Sequence, residues 1–160
     1  MAKITLNDLI KDIDYTIKQC ENLHPLLDRV ADKVYNTSMN SFDKESSPFG
    51  EKWQPLAKST LKHKTSNKIL RDTGTLQSSI NSRTKLQQTK TSTQGSASGI
   101  VSIGTNLEYA PIHQFGGKAG RGLKVNIPER PFLPVKDNEI PNDLKEDIKE
   151  AILSHFKFGR

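Results

Sequence analysis

The sequence predicts an α+β fold in which an antiparallel sheet with a long hairpin is packed by N-terminal helices and a C-terminal helix. Apolar residues recur at helical spacing in residues 5–39 and again after Pro141, which indicates helices at both ends of the chain. Apolar and polar residues alternate after Ile80 and again over residues 100–105, which is typical of strands exposed on one face.

A chain of 160 residues fits a single domain with a core of modest size. We expect a helical region at 1–40, a central region at 42–133 and a C-terminal helix at 138–158. Mean hydropathy is −0.63, so much of the surface must be exposed to water or to a partner. The chain contains no apolar run long enough to span a membrane and no signal peptide, so we expect a cytosolic protein without membrane contact.

The first helix should begin at Thr5, which forms a near-capping-box arrangement with Asp8. Pro25 should break or restart it, giving two consecutive helices or one kinked helix up to Met39. We expect the apolar face of the first helix to pack on the core, with Cys20 buried on it. That face contains Leu6, Leu9, Ile10, Ile13, Ile17 and Cys20.

The polar segment at 87–99 contains no large apolar residue, and it predicts a flexible hairpin tip or a disordered loop. It separates the strand that starts after Ile80 from a partner strand at 100–105. The simplest topology is a long antiparallel hairpin with a mobile tip.

We expect residues 101–133 to form the central structural segment, around which the rest of the chain packs. A strand ends at Gly104, a short mixed segment at 109–115 leads into a glycine-rich loop, and a further strand stops at Pro128, which has no N–H to donate. Phe132 and Leu133 should press back onto the core. This stretch predicts a rigid sheet edge with a shaped, aromatic-tipped loop.

The loop at 42–56 is irregular because three prolines or glycines interrupt it, and its aromatic residues should pin it to the core. Trp53 is the single tryptophan. As an alternative to packing on the core, Trp53 can serve as an anchor residue in a protein interface.

Charge is segregated along the chain. Residues 52–124 contain 12 Lys or Arg and two Asp or Glu, whereas both flanking regions are mildly acidic. The basic middle favours either a nucleic-acid surface or a solvated face that meets acidic regions of the same or a neighbouring subunit. Nucleic-acid contacts would then come from Lys62, Lys64, Lys68, Arg71, Arg83, Lys85, Lys118, Arg121 and Lys124.

No motif of a known catalytic, nucleotide-binding or metal-binding site occurs, so we expect no enzyme activity, no cofactor and no metal. His113 is the only histidine in a suggestive context, and Glu108 is the only carboxylate near it that could orient a catalytic base. A small hydrolase that uses His113 is the remaining enzymatic alternative. We expect instead that its side chain bonds to backbone and shapes the loop. His155 should lie at the end of the last helix, where a cation is favoured, and Gly159 should end that helix.

Four blocks of sequence carry a resemblance. They occupy 48–56, 69–80, 101–117 and 128–133, and the most specific are YAPIHQFGG and the later RPFL. In these blocks the chain resembles the phage virion morphogenesis proteins, also called tail completion proteins, of contractile-tailed phages and Mu-like prophages.

The resemblance implies a non-enzymatic subunit that completes the tail and helps to join it to the head. It implies an α+β domain like that of tail-terminator and neck proteins, forming a ring, commonly a hexamer. The partners implied are further copies of the chain, the tail tube or tail terminator, and head-completion or neck proteins, with DNA passing through the ring. The protein would occupy the bacterial host cytoplasm during assembly and then the tail or neck of the virion. The residues expected to shape or form the contact surface are Trp53, Tyr109, His113, Phe115, Arg130 and Phe132.

Overall fold

The computed structural model describes residues 5–91 and 94–156, which form six helices and four strands. The helices are α1 (Leu6–Glu21), α2 (His24–Lys44), α3 (Lys58–Leu61), α4 (Thr75–Ser79), α5 (Ala110–Phe115) and α6 (Asn142–His155). The strands are β1 (Asn81–Thr91), β2 (Gln94–Gly104), β3 (Gly117–Ala119) and β4 (Val125–Ile127). This mixture confirms the predicted α+β class.

Local sequence signals set the bounds of the first two helices. The side chain of Thr5 accepts a hydrogen bond from the Asp8 N–H at 3.2 Å, and the Asp8 carboxylate accepts one from the Thr5 N–H at 3.0 Å. These bonds complete the capping box. Pro25 lies in the first turn of α2, where its missing N–H has no cost, so the chain forms two helices. α2 continues to Lys44, beyond the predicted end.

The predicted burial of α1 is wrong. None of its residues is buried, and Cys20 is exposed. The spacing of its aliphatic residues indicates an amphipathic helix correctly, but spacing alone does not say which surface covers the apolar face. Within the described residues, no element of the same chain covers it.

β1 and β2 pair antiparallel, from Asn81 opposite Gly104 to Thr91 opposite Gln94. The backbone ladder thus includes residues 87–91 and 94–99, where the sequence predicted a loop; residues 92 and 93 lie outside the described part. Ladder hydrogen bonds form between backbone groups, so the polar composition of this segment does not prevent pairing. β3 and β4 form a separate two-stranded antiparallel sheet, whereas a single sheet was predicted.

α2 links the hairpin to the C-terminal helix. It packs on both long strands and on α6. Gly99 fits closely over Leu27, since a Cβ at Gly99 would lie 2.5 Å from a Leu27 methyl carbon. On the other side, the Lys33 ammonium lies 3.2 Å from the Asp147 carboxylate of α6.

The core lies where α2, the irregular loop and the chain after β4 meet. Phe42 and Phe132 are fully buried, and the Phe42 ring meets the Trp53 ring edge-on with centroids 5.7 Å apart. The Trp53 indole N–H donates to the Pro131 carbonyl at 2.9 Å. Trp53 is therefore a core residue that fastens the loop to the segment after β4, and it does not offer a surface anchor.

The C-terminal helix follows Pro141, as predicted, and ends at His155. Gly159 lies outside the described residues. His155 is buried: its Nδ1 accepts from the Arg29 guanidinium at 3.2 Å, and its Nε2 donates to the Gln19 carbonyl at 3.2 Å. His155 lies in the last turn of α6, as predicted, and its imidazole ties that end of the helix to α2 and to the last turn of α1.

Candidate functional site

Arg130 joins three segments of the central region. Its backbone N–H donates to the His113 carbonyl at 2.7 Å, and its guanidinium donates to the carbonyls of Gln54 at 3.0 Å and Pro55 at 3.2 Å. The side chain is buried, and burial lowers the pKa of Arg130 below its ordinary value. The guanidinium remains charged and holds the loop before α3 against α5.

His113 lies beside this arginine. Its ring meets the Tyr109 ring edge-on at 6.1 Å, and its Nδ1 is buried with no hydrogen-bond partner in the described residues. Burial lowers the pKa of His113 below its ordinary value of 6.5, and the charges of Arg130 and Lys64 lower it further. The expected bond from the imidazole to backbone is therefore not made through Nδ1; the His113 contact that shapes the loop uses its carbonyl.

Glu108 forms no hydrogen bond or ion pair with His113, so within the described residues it does not orient that imidazole as a base. Asp72 also lines this region, but its carboxylate accepts from the Thr65 N–H at 3.0 Å and the Thr65 hydroxyl at 2.9 Å. These bonds lower the pKa of Asp72. They give it a structural role in the loop after α3.

Gln114 has a structural role at this site that the sequence did not predict. It is buried, and its side-chain oxygen accepts from the backbone N–H groups of Phe132 and Leu133, both at 3.0 Å. Its amide nitrogen donates to the carbonyls of Leu133 and Val135 at 3.4 Å. A chain interrupted by prolines cannot pair these groups in a ladder, and a carboxamide on α5 replaces the missing strand. One signal was available: Gln114 is an uncharged polar residue inside the YAPIHQFGG block that carries the resemblance.

Phe115 projects from the end of α5 and is 73% exposed. Gly116 follows it with φ of 69°, a conformation that favours glycine, and a Cβ there would lie 2.9 Å from the Glu129 backbone nitrogen. The close approach of these two chain segments holds Phe115 in an outward position. Phe115 is therefore the exposed aromatic tip that the sequence predicted for this loop.

An open cleft of about 660 Å³, here called the α5 cleft, runs between α5, β4 and the loops on either side of α3. Tyr109, His113 and Arg130 line it together. Its apolar wall contains Leu56, Leu70, Leu76, Val125 and Ile127. The structure thus brings three of the six expected site residues to one concave surface, places Trp53 and Phe132 in the core beneath it, and leaves Phe115 exposed.

A second exposed surface is the apolar face of α1. Its aliphatic side chains retain roughly half or more of their exposure: Leu6 73%, Leu9 50%, Ile10 48%, Ile13 49% and Ile17 52%. Monomeric proteins seldom expose a contiguous aliphatic stripe of this kind, and such patches commonly mark interaction sites.

Some basic residues of the middle region already bond to other groups of the same chain. Arg71 pairs with Asp43 and donates to Gln77, and the Lys64 ammonium donates to the Lys68 carbonyl at 2.7 Å. Arg83 and Lys85 lie on the exposed face of β1 and have no ion pair among the described residues. Lys118, Arg121 and Lys124 are likewise exposed and form no ion pair in that part of the chain, so several residues of the basic middle are open to an acidic partner.

Residues 5–91 and 94–156 contain neither a metal-binding cluster nor a membrane-spanning helix. Histidine, cysteine and carboxylate side chains there form no group of three or more that could hold a metal ion. None of the helices in that part of the chain has the length and apolar character needed to cross a membrane.

Comparison with known proteins identifies the family. Over 48 residues, or 30% of this chain, the sequence is 58% identical to the Mu-like prophage FluMu G protein 2 of Haemophilus influenzae; the matched segment spans about a third (34%) of that protein. Over 102 residues, or 63% of the chain, it is 32% identical to an uncharacterized protein of Methanocaldococcus jannaschii, of which it covers 68%. No solved structure matches the chain. The sequence model of the Phage virion morphogenesis family matches residues 4–157, and the chain therefore belongs to the phage virion morphogenesis family.

Proposed function

We propose that this protein is a structural subunit that completes the tail of a phage or Mu-like prophage particle and joins it to the head. Family membership supports a role in virion assembly. The finer assignment, a ring of identical subunits at the junction of tail and neck, is supported by one observation: no element within residues 5–91 and 94–156 buries the aliphatic face of α1.

An aliphatic surface of this size favours association because each side chain removed from water contributes about 1.5–3 kcal/mol on full burial. The charges also favour association between copies. Residues 1–51 carry three more acidic than basic residues, whereas residues 52–124 carry ten more basic than acidic ones. The two surfaces differ, so contact between them is head-to-tail, and head-to-tail contacts close into rings when the rotation permits.

In this proposal the ring matches the six-fold symmetry of the tail and contacts the tail tube or terminator on one face and a head-completion or neck protein on the other. DNA passes through its opening. The subunit assembles in the bacterial cytoplasm and remains in the tail or neck of the virion. It acts by fitting together with its partners, without catalysis, cofactor or metal.

The test uses a phage or inducible prophage that carries this gene. A stop codon early in the gene should yield filled heads and separate tails in electron micrographs of the lysate, with few joined particles, and a plasmid copy should restore joining. A matched plasmid copy carrying the same stop codon is the control. Normal virions in the absence of the protein would reject the proposal.

A second candidate function is non-specific DNA binding, and the exposed pair Arg83 and Lys85 on β1 favours it. Binding through phosphate contacts weakens steeply as salt rises. Fluorescence anisotropy with a labelled DNA duplex should then show an affinity that falls as salt rises, and this salt dependence should be smaller for the double variant Arg83→Ala/Lys85→Ala. Absent or salt-independent binding would remove this candidate.

A further inference from the structure

The exposed residues of α1 follow the spacing of a helix seam. Leu6, Ile10, Ile13, Ile17 and Cys20 are separated by steps of four, three, four and three residues, which keeps them on one narrow line along the helix. We call this line the α1 seam. Apolar side chains at this spacing can fit into a hydrophobic groove, as in complexes where an amphipathic helix inserts side chains one turn apart into the groove of a partner.

The α5 cleft offers such a groove. Its volume of about 660 Å³ lies within the range of ordinary binding clefts, and its walls contain several leucine, isoleucine and valine side chains. No residue of α1 lines it. One chain thus has an uncovered apolar ridge and an unfilled apolar groove.

The charges around the two surfaces are opposite. α1 carries four acidic residues and two lysines, and Asp14, beside the seam, has no ion pair among the described residues. The cleft is lined by two basic residues, Lys64 and Arg130, and one carboxylate, Asp72, so its lining carries a net positive charge although each of the three already has a hydrogen bond within the chain. Two α1 helices pairing with each other would instead bring acidic flanks together.

We propose that α1 of one copy lies in the α5 cleft of the next copy, with the α1 seam against Val125 and the leucine wall. The α1 seam and the α5 cleft are different surfaces of one chain. Each copy can therefore insert its α1 into one neighbour and bind the α1 of another, and a ring requires such a head-to-tail contact. This inference deepens the proposed ring assembly and names the surfaces that build it.

Cysteine crosslinking tests the contact in the full-length protein. In a Cys20→Ser background, Ile13→Cys places a thiol on the seam and Val125→Cys places one at the cleft. Oxidation of the double variant should give a ladder of crosslinked oligomers on a non-reducing gel. A mixture of the two single variants should give crosslinked dimers only, and neither single variant alone should crosslink.

A matched control replaces Val125→Cys with Val135→Cys, a valine of similar exposure that does not line the cleft, and this pair should not crosslink. Dimers formed by Ile13→Cys alone would show α1 pairing with α1 and overturn the proposal. Sedimentation velocity on the same samples separates two failures. If the protein forms oligomers but the Ile13–Val125 crosslink does not form, only this docking is overturned. If the protein is a monomer at every concentration, both the docking and ring formation by the isolated protein are overturned. The role in joining tails to heads is then judged from the lysate experiment.

Discussion

The backbone N–H of Arg130 donates to the carbonyl of His113 over 2.7 Å, so the start of the RPFL segment is fixed directly to α5. The guanidinium of the same arginine then reaches the carbonyls of the loop that precedes α3. Arg130 therefore connects three of the four sequence blocks that identify the family, and its position defines one wall of the α5 cleft.

Arg130→Ala should destabilise the protein by about 2–4 kcal/mol. The substitution removes two charge-assisted hydrogen bonds and leaves the carbonyls of Gln54 and Pro55 without their donor. Urea unfolding monitored by the fluorescence of Trp53 measures the change. Arg83→Ala, at an exposed arginine on β1, is the control and should shift the free energy of unfolding by less than about 0.5 kcal/mol. Equal effects of the two substitutions would contradict the role assigned to Arg130.

Gln114→Met should cost about 2–4 kcal/mol although it keeps the size of the side chain. The variant leaves the N–H groups of Phe132 and Leu133 without an acceptor in a region that excludes water, and each such group costs about 1–3 kcal/mol. Thermal or urea unfolding provides the measurement. Gln54→Met, at an exposed glutamine, makes the same chemical change and should be nearly neutral. A stable Gln114→Met protein would show that water or a rearranged loop satisfies these groups.

Local signals in the sequence were sufficient for much of the fold. Thr5 with Asp8 sets the start of α1, Pro25 separates it from α2, and Gly104 ends β2, because each acts on its own backbone or on neighbours within one turn. Trp53 and Phe132 were also correctly expected to press loops onto the core, since large aromatic side chains seldom remain in water.

The candidate site could not be predicted in full from the sequence, because it is formed by contacts between residues that are far apart along the chain. Gln114 matters because a proline-interrupted segment 18 residues later brings unpaired N–H groups against it. The apolar face of α1 has the same spacing whether it packs on its own core or on another copy, so periodicity could not decide its partner. The convergence of Tyr109, His113 and Arg130 on one cleft likewise arises from tertiary packing.

His113 should make the protein less stable in mild acid. Because the pKa of His113 is lowered in the folded state, the unfolded chain binds a proton more readily as pH falls below 6.5. The stability supplied by the unprotonated, buried ring is therefore complete above that pH and decreases as pH falls from 6.5 toward the lower folded-state pKa.

Urea unfolding between about pH 5 and pH 7.5 measures this dependence. His113→Gln cannot titrate in this range and should flatten the curve, whereas His63→Gln, at an exposed histidine, should leave it unchanged. An identical loss of stability in wild type and His113→Gln would assign the effect to other groups.

Ile13→Asp should disrupt self-association while leaving the fold intact. Ile13 is 49% exposed and contributes little to the core of its own chain, so the free energy of unfolding of the dissociated subunit should change by less than about 0.5 kcal/mol. In an assembled ring the same side chain would be buried. Since about half of the side chain is already buried in the free subunit, losing the rest of its burial costs about 0.7–1.5 kcal/mol, which weakens each contact about three- to tenfold, and the unpaired carboxylate weakens it further.

Tyr15→Asp is the matched control, because it adds the same charge to α1 on the side away from the α1 seam. Sedimentation velocity over a range of concentrations should show weakened association for Ile13→Asp and wild-type behaviour for Tyr15→Asp, and thermal melts should show that both variants fold. Leu144→Ala, in the buried face of α6, should lower stability by about 2–5 kcal/mol and calibrates the melts. If Ile13→Asp unfolds the protein as Leu144→Ala does, the face of α1 is part of the core, and an assembly role for it is excluded.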